Sequence, residues 1–65
     1  MNIVLNGKAL DVESKTLAEL LVYLGHAEKD VATAVNSEFV PIAQRVDVEL
    51  SDGDRVEVIA PMAGG

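Results

Sequence analysis

Cysteine is missing from this 65-residue chain, which excludes disulfides, thiolate metal centres and thiol catalysis together. There is one histidine, His26. With no second histidine or cysteine to share a metal, it reads as a solvated loop residue. Basic residues are scarce: five Lys and Arg stand against eleven Asp and Glu, a formal charge of −6. Such a chain repels nucleic acid and anionic lipid, and a steered partner should carry a basic face. The excess acid also serves simple solubility. No apolar run approaches the roughly 18 residues of a membrane span. The first ten residues, MNIVLNGKAL, lack the basic region and long apolar stretch of a secretory signal. A cytoplasmic location is therefore expected, with no nucleic acid and no membrane as partner.

What remains is mostly aliphatic. Ile, Leu, Val and Phe make up about a third of the chain, enough for one small core. A substrate pocket walled on all sides is not expected at this length, so any chemistry belongs on another protein's surface. Residues 1–60 are expected to form a single domain, with 61–65 a flexible tail.

Along the chain, Asn6-Gly7 follows a β-branched apolar run and precedes an alternating one, Lys8 to Glu13. Asn-Gly favours the positive φ angles of a tight hairpin turn. Thr16-Leu17-Ala18-Glu19 fits a capping box, with the Glu19 carboxylate expected to return to the Thr16 amide. Leu17, Leu20, Leu21 and Leu24 build one apolar stripe at helical period, and Gly25 is placed to end that helix. Val22 points away from the stripe and Tyr23 flanks it. A third strand is expected over 31–36, then a Ser37-Glu38 turn and a brief extended piece, Phe39-Val40-Pro41. Val46 to Leu50 alternates strictly and predicts another half-buried strand. Ser51 to Asp54 turns the chain into a last strand, Arg55 to Ile59, with Val56 and Val58 inward.

The compact solution is an α+β fold of β-grasp, ubiquitin-like type: a mixed sheet of four to five strands with one main helix on one face. Its leucine stripe should meet Ile3, Leu5, Leu10, Val12, Val35, Val56 and Val58. Enzyme signatures are wanting. The serines lack a nucleophile-elbow context, the glycines lack phosphate-loop spacing, and carboxylates such as Asp52 and Asp54 are explained by turn chemistry. No catalytic residue and no metal site is expected.

The tail, Pro61-Met62-Ala63-Gly64-Gly65, stands apart. Glycine costs conformational entropy wherever it is ordered. Two at the end fit either a frayed terminus or a segment made to thread a narrow channel. Five extended residues reach about 16–18 Å. A carboxylate laid against a nucleotide can become an acyl-adenylate, which a sulfur nucleophile attacks without hindrance. Gly65 is thus the candidate reactive group, and Pro61, Met62, Ala63 and Gly64 the segment a partner recognises.

The β-grasp order, Ala34-Val35-Asn36 followed by Val40-Pro41, the stretch Leu50-Ser51-Asp52-Gly53-Asp54-x-Val56 and the terminal Gly64-Gly65 resemble the ThiS family of sulfur carrier proteins of thiamine biosynthesis. The resemblance spans essentially the whole chain, although Ile42 stands where the family often has arginine. It implies a carrier and not an enzyme, binding no cofactor itself. An adenylyltransferase of the ThiF type, using ATP and magnesium, would activate Gly65. Cysteine-derived sulfur from a desulfurase would make the C-terminal thiocarboxylate, and a ThiG-like thiazole synthase would receive it. The tail is also similar to that of MoaD, the small subunit of molybdopterin synthase. A protein modifier and an interaction module with an inert tail are the other readings.

Two surface features are candidates for partner binding. Ile59 and Val4 should face the open side of the sheet, making a docking patch if they meet on neighbouring strands beside the tail. Asp47, Glu49, Asp52, Asp54 and Glu57 either steer a basic partner or are simply solvated. The free chain is expected to be a monomer.

Overall fold

The computed structural model describes residues 1–26 and 30–60. The chain runs β1 (Asn2–Leu5), β2 (Lys8–Asp11), α1 (Leu17–Leu24), β3 (Ala32–Val35), β4 (Glu38–Val40), a 3₁₀ helix (Ile42–Asp47) and β5 (Arg55–Ile59). The strands form one five-stranded sheet in the order β2-β1-β5-β3-β4. β1 and β5 are parallel, and the other pairs are antiparallel. This is the expected mixed sheet with one helix, and the strand nearest the tail is its central one.

Local chemistry accounts for the first half. Asn6 and Gly7 take φ values of 48° and 85°, both positive as a two-residue hairpin turn requires. Thr16 caps α1, its Oγ1 accepting from the Glu19 amide at 3.2 Å. The return arm of the capping box differs from expectation: the Glu19 carboxylate accepts from the Lys15 amide at 2.8 Å. Thr16 lies in an extended stretch that bridges to Glu49, and along it the amide within reach of Glu19 is that of Lys15. Gly25, at φ 83°, closes the helix in the left-handed conformation. Its amide donates to the Val22 carbonyl and that of His26 to the Leu21 carbonyl, the paired bonds of a Schellman end.

The second half departs from the alternation argument. The hairpin turn falls at Asn36-Ser37, both at positive φ, so Glu38 belongs to β4 and not to the turn. Val46 to Leu50 is not a sheet strand. Pro41, at φ −61°, leads into the 3₁₀ helix, whose last residues are Val46 and Asp47. Val46 is left exposed. Only Glu49 pairs, as an isolated bridge to Thr16, while Val48 and Leu50 still turn inward.

The reason is Arg45, which is buried. Its Nη2 donates to the Val31 carbonyl at 2.6 Å and its Nε to Thr33 Oγ1 at 3.2 Å. Thr33 in turn donates to the Val40 carbonyl at 2.9 Å. The 3₁₀ helix is thereby tied to β3, and the chain from Val46 to Leu50 runs outside the sheet.

The core lies between α1 and one sheet face. Leu17, Leu20, Ile3 and Val56 are almost fully buried, with Val12, Val40 and Leu50 around them. Burying each large aliphatic side chain contributes roughly 1.5–3 kcal/mol. All seven residues expected opposite the leucine stripe are in this core or packed against it. Val22 and Tyr23 face solvent. Among the described residues no helix is long and apolar enough to cross a membrane.

Candidate functional site

Because β5 is central, the segment that leads to the tail is held from both sides. On the β3 side Ile59 registers with Ala32 and Glu57 with Ala34. On the β1 side the parallel ladder runs through Leu5 opposite Val56, and the Asn6 amide donates to the Val56 carbonyl at 2.9 Å. Beyond that rung β1 has turned away. The Asn6 side chain takes over: its Oδ1 accepts from the Val58 amide at 3.0 Å and its Nδ2 donates to the Val58 carbonyl at 3.2 Å.

At the other end of β5, Asn36 performs a similar task. Its Oδ1 accepts from the Arg55 amide at 2.9 Å, its own amide donates to the Arg55 carbonyl at 2.7 Å, and its Nδ2 donates to Asp54 at 3.0 Å. Both asparagines are hairpin-turn residues at positive φ. Turn propensity identifies Asn6 in the sequence, whereas Asn36 reads there as the end of a strand, and the grip of both on β5 depends on which strands become neighbours.

The sheet face away from α1 is open. Ile59 lies on it, about 63% exposed, beside Ala32. Phe39, about 66% exposed, lies opposite Ala34 on β4. By strand spacing and rise, Phe39 and Ile59 stand roughly 12 Å apart, with only the small Ala32 and Ala34 between them. This apolar saddle adjoins the end of β5. Phe39, left unassigned by its irregular sequence context, is thus a surface residue of the same face.

Val4 does not complete a patch with Ile59. The two strands are neighbours, but Val4 registers with Arg55. Four residues of β5 separate that level from Ile59, roughly 13 Å, with Glu57 in the interval. The missing information was register, which alternation alone does not carry.

The five carboxylates are not gathered on one face. Glu57 shares the open face with Ile59 and Phe39. Asp47 ends the 3₁₀ helix, and Glu49 lies in the stretch bridged to Thr16. Asp52 and Asp54 build the turn before β5: Asp52 accepts from the Asn2 amide at 2.7 Å, and Asp54 from the Ser51 amide at 2.7 Å and from Asn36. Among the described residues no group of three or more His, Asp or Glu side chains could hold a metal ion. Pro61, Met62, Ala63, Gly64 and Gly65 lie outside the described residues.

A central strand held from both sides, beside an open apolar saddle, is thus the geometry of this site. Comparison with known proteins identifies the family. The ThiS family profile matches residues 3–65. A sulfur carrier protein ThiS from Thermus thermophilus is 44% identical over 61 residues, covering 94% of this chain and 95% of that protein. The crystal structure of a thiamine biosynthesis protein (ThiS) from Geobacter metallireducens superposes with a TM-score of 0.83 at 32% identity, covering both chains completely. Its solution NMR structure gives 0.82, covering 88% of that chain. A thiazole synthase from Paramagnetospirillum magneticum is 36% identical over 66 residues, all of this chain but only 20% of that protein. This chain therefore belongs to the ThiS family, and it is a sulfur carrier of thiamine biosynthesis, a carrier and not a catalyst.

Proposed function

We propose that the carrier works through the terminal carboxylate of Gly65. A carboxylate oxygen attacks the α-phosphorus of ATP on an adenylyltransferase of the ThiF type, and magnesium-bound pyrophosphate leaves. A desulfurase draws the sulfur from cysteine as a persulfide. A thiol reductant supplies the two electrons that bring it to the sulfide level and is itself left as a disulfide. The resulting sulfide then attacks the acyl carbon. AMP departs with one of the former carboxylate oxygens, and Gly65 is left as a thiocarboxylate. ATP and magnesium belong to the partner, and the carrier binds no cofactor of its own. Gly64, Ala63, Met62 and Pro61 form the segment that enters the partner's channel, where the absence of a Cβ at the last two positions permits close approach.

The observation that carries this reading is the family match running through Gly65, on a segment that leaves the central strand of the sheet. The thiazole synthase relative, a fifth of whose length is similar to this chain, favours a ThiG-like thiazole synthase over molybdopterin synthase as the acceptor. The saddle of Phe39, Ala34, Ala32 and Ile59 is the surface on which these enzymes dock, since it lies beside the point where the tail begins. The cycle runs in the cytoplasm, where the free carrier is a monomer.

Intact-mass analysis tests the proposal. Incubation with a ThiF-type enzyme, ATP, magnesium and sulfide should replace one oxygen by sulfur, and a chain with one residue appended after Gly65 should stay unchanged. Conversion of the extended chain, or none of the natural one, refutes it. Rescue of a deletion strain by thiazole, and not by molybdenum cofactor, would identify the acceptor.

A further inference from the structure

In a parallel ladder each residue facing the neighbour uses two partners: its amide donates to one residue and its carbonyl accepts from the residue two further on. Val56 finds the second of these in the Asn6 backbone amide. For Val58 the corresponding residues would be Asn6 and Lys8, but the chain has reversed at Asn6-Gly7 and Lys8 belongs to β2. The Asn6 side-chain amide, a peptide group in miniature, supplies both bonds. It adds one rung to the central strand in the direction of the tail. Asparagine suits this place because it tolerates the left-handed conformation and carries donor and acceptor on one short planar group.

We propose that Asn6 is a positioning residue for the sulfur-loading reaction: its side-chain amide clamps Val58 and so fixes where, and in which direction, the tail leaves the sheet. The inference rests on the reading that Gly65 receives the sulfur. A last strand paired through Val58 has one fixed end, whereas one frayed back to Val56 has several, so with the clamp more of the free carrier holds a binding-competent geometry. Asn36 provides the contrast within the same molecule. It is also a positive-φ turn residue that grips β5, but at Arg55, the end remote from the tail.

The test compares Asn6→Gly with Asn36→Gly in the full chain. Glycine keeps each turn's backbone conformation while removing the side-chain grip. In the free protein, amide exchange at Val58 should speed up about tenfold in Asn6→Gly, the factor that one or two neutral hydrogen bonds supply. Asn36→Gly should show this at Arg55 instead. In pyrophosphate release by the adenylyltransferase, Asn6→Gly should raise KM about three- to tenfold and leave kcat within about twofold, whereas Asn36→Gly should leave both unchanged.

Unchanged exchange at Val58, or an equal rise of KM in both variants, would overturn the proposal, the second by showing a general loss of stability. A natural chain that the enzyme leaves unadenylated would instead refute the Gly65 reading, and this role with it, while the exchange result would still report the clamp.

Discussion

Thr33→Val, an almost isosteric change on the buried side of β3, tests the polar network that decides the second half of the fold. It removes the donor to the Val40 carbonyl, now at 2.9 Å, and the acceptor for Arg45 Nε, now at 3.2 Å. Thr33 and Arg45 are about 1% and 5% exposed, so water does not readily replace either bond. The Val40 carbonyl keeps its ladder bond from the Thr33 amide, so the main penalty is the orphaned guanidinium N–H and one lost hydrogen bond, about 2–3 kcal/mol, of which the added methyl returns about 1 kcal/mol. The expected net loss is about 1–2 kcal/mol, or roughly 5–15 °C in Tm for a domain this small.

Urea unfolding followed by far-ultraviolet circular dichroism is the suitable assay, since the chain has no tryptophan. Arg45→Met, which frees the Val31 carbonyl, should cost a similar amount. The double variant should lose less than the sum of the two by about 1 kcal/mol or more, because the second change removes a group the first had already left unpaired. A Thr33→Val chain within about 0.5 kcal/mol of the natural one, or strict additivity in the cycle, would refute the idea that this network holds the 3₁₀ helix to the sheet.

The remaining predictions concern the surface. Phe39→Ser and Ile59→Ser should leave Tm nearly unchanged, because both side chains are about two-thirds exposed. Each should weaken binding to the adenylyltransferase about three- to tenfold by calorimetry; wild-type affinity in both would remove the saddle from the docking surface. The association rate with that enzyme should fall as salt rises, and Glu57→Gln should flatten the dependence; a salt-independent rate would leave the acidic residues as solvating groups only. Asp54→Ala should cost about 1–2 kcal/mol in urea unfolding, because it takes an acceptor from Ser51 and Asn36 at the start of β5. Unaltered stability would show that water replaces it freely.

Much of the first half was legible residue by residue. Asn6-Gly7, Thr16, the leucines of α1 and Gly25 each act within a few positions of themselves, so propensity and period suffice to place them. The stretch from Ser37 to Leu50 resisted the same treatment. Of Val46, Val48 and Leu50, the last two do turn inward, but they pack on the core without sheet membership, and Val46 is exposed. The turn at Asn36-Ser37 was displaced by one residue because two adjacent non-glycine residues at positive φ carry a weaker sequence signal than Asn-Gly. The candidate tail was legible from composition alone, whereas its rooting was not: Asn6 and Val58 are 52 residues apart in the chain.

Sequence by itself determined the class of the fold, the helix with its caps and the aliphatic core, because each depends on periodicity, local turn chemistry or residue type. Tertiary structure alone decided that β5 is central, that Arg45 is buried against Thr33, that Phe39 and not Val4 stands near Ile59 on the open face, and that Asn6 ends the ladder at Val58. Those facts depend on strand order and register, which arise from how distant segments exclude water together and satisfy one another's backbone groups.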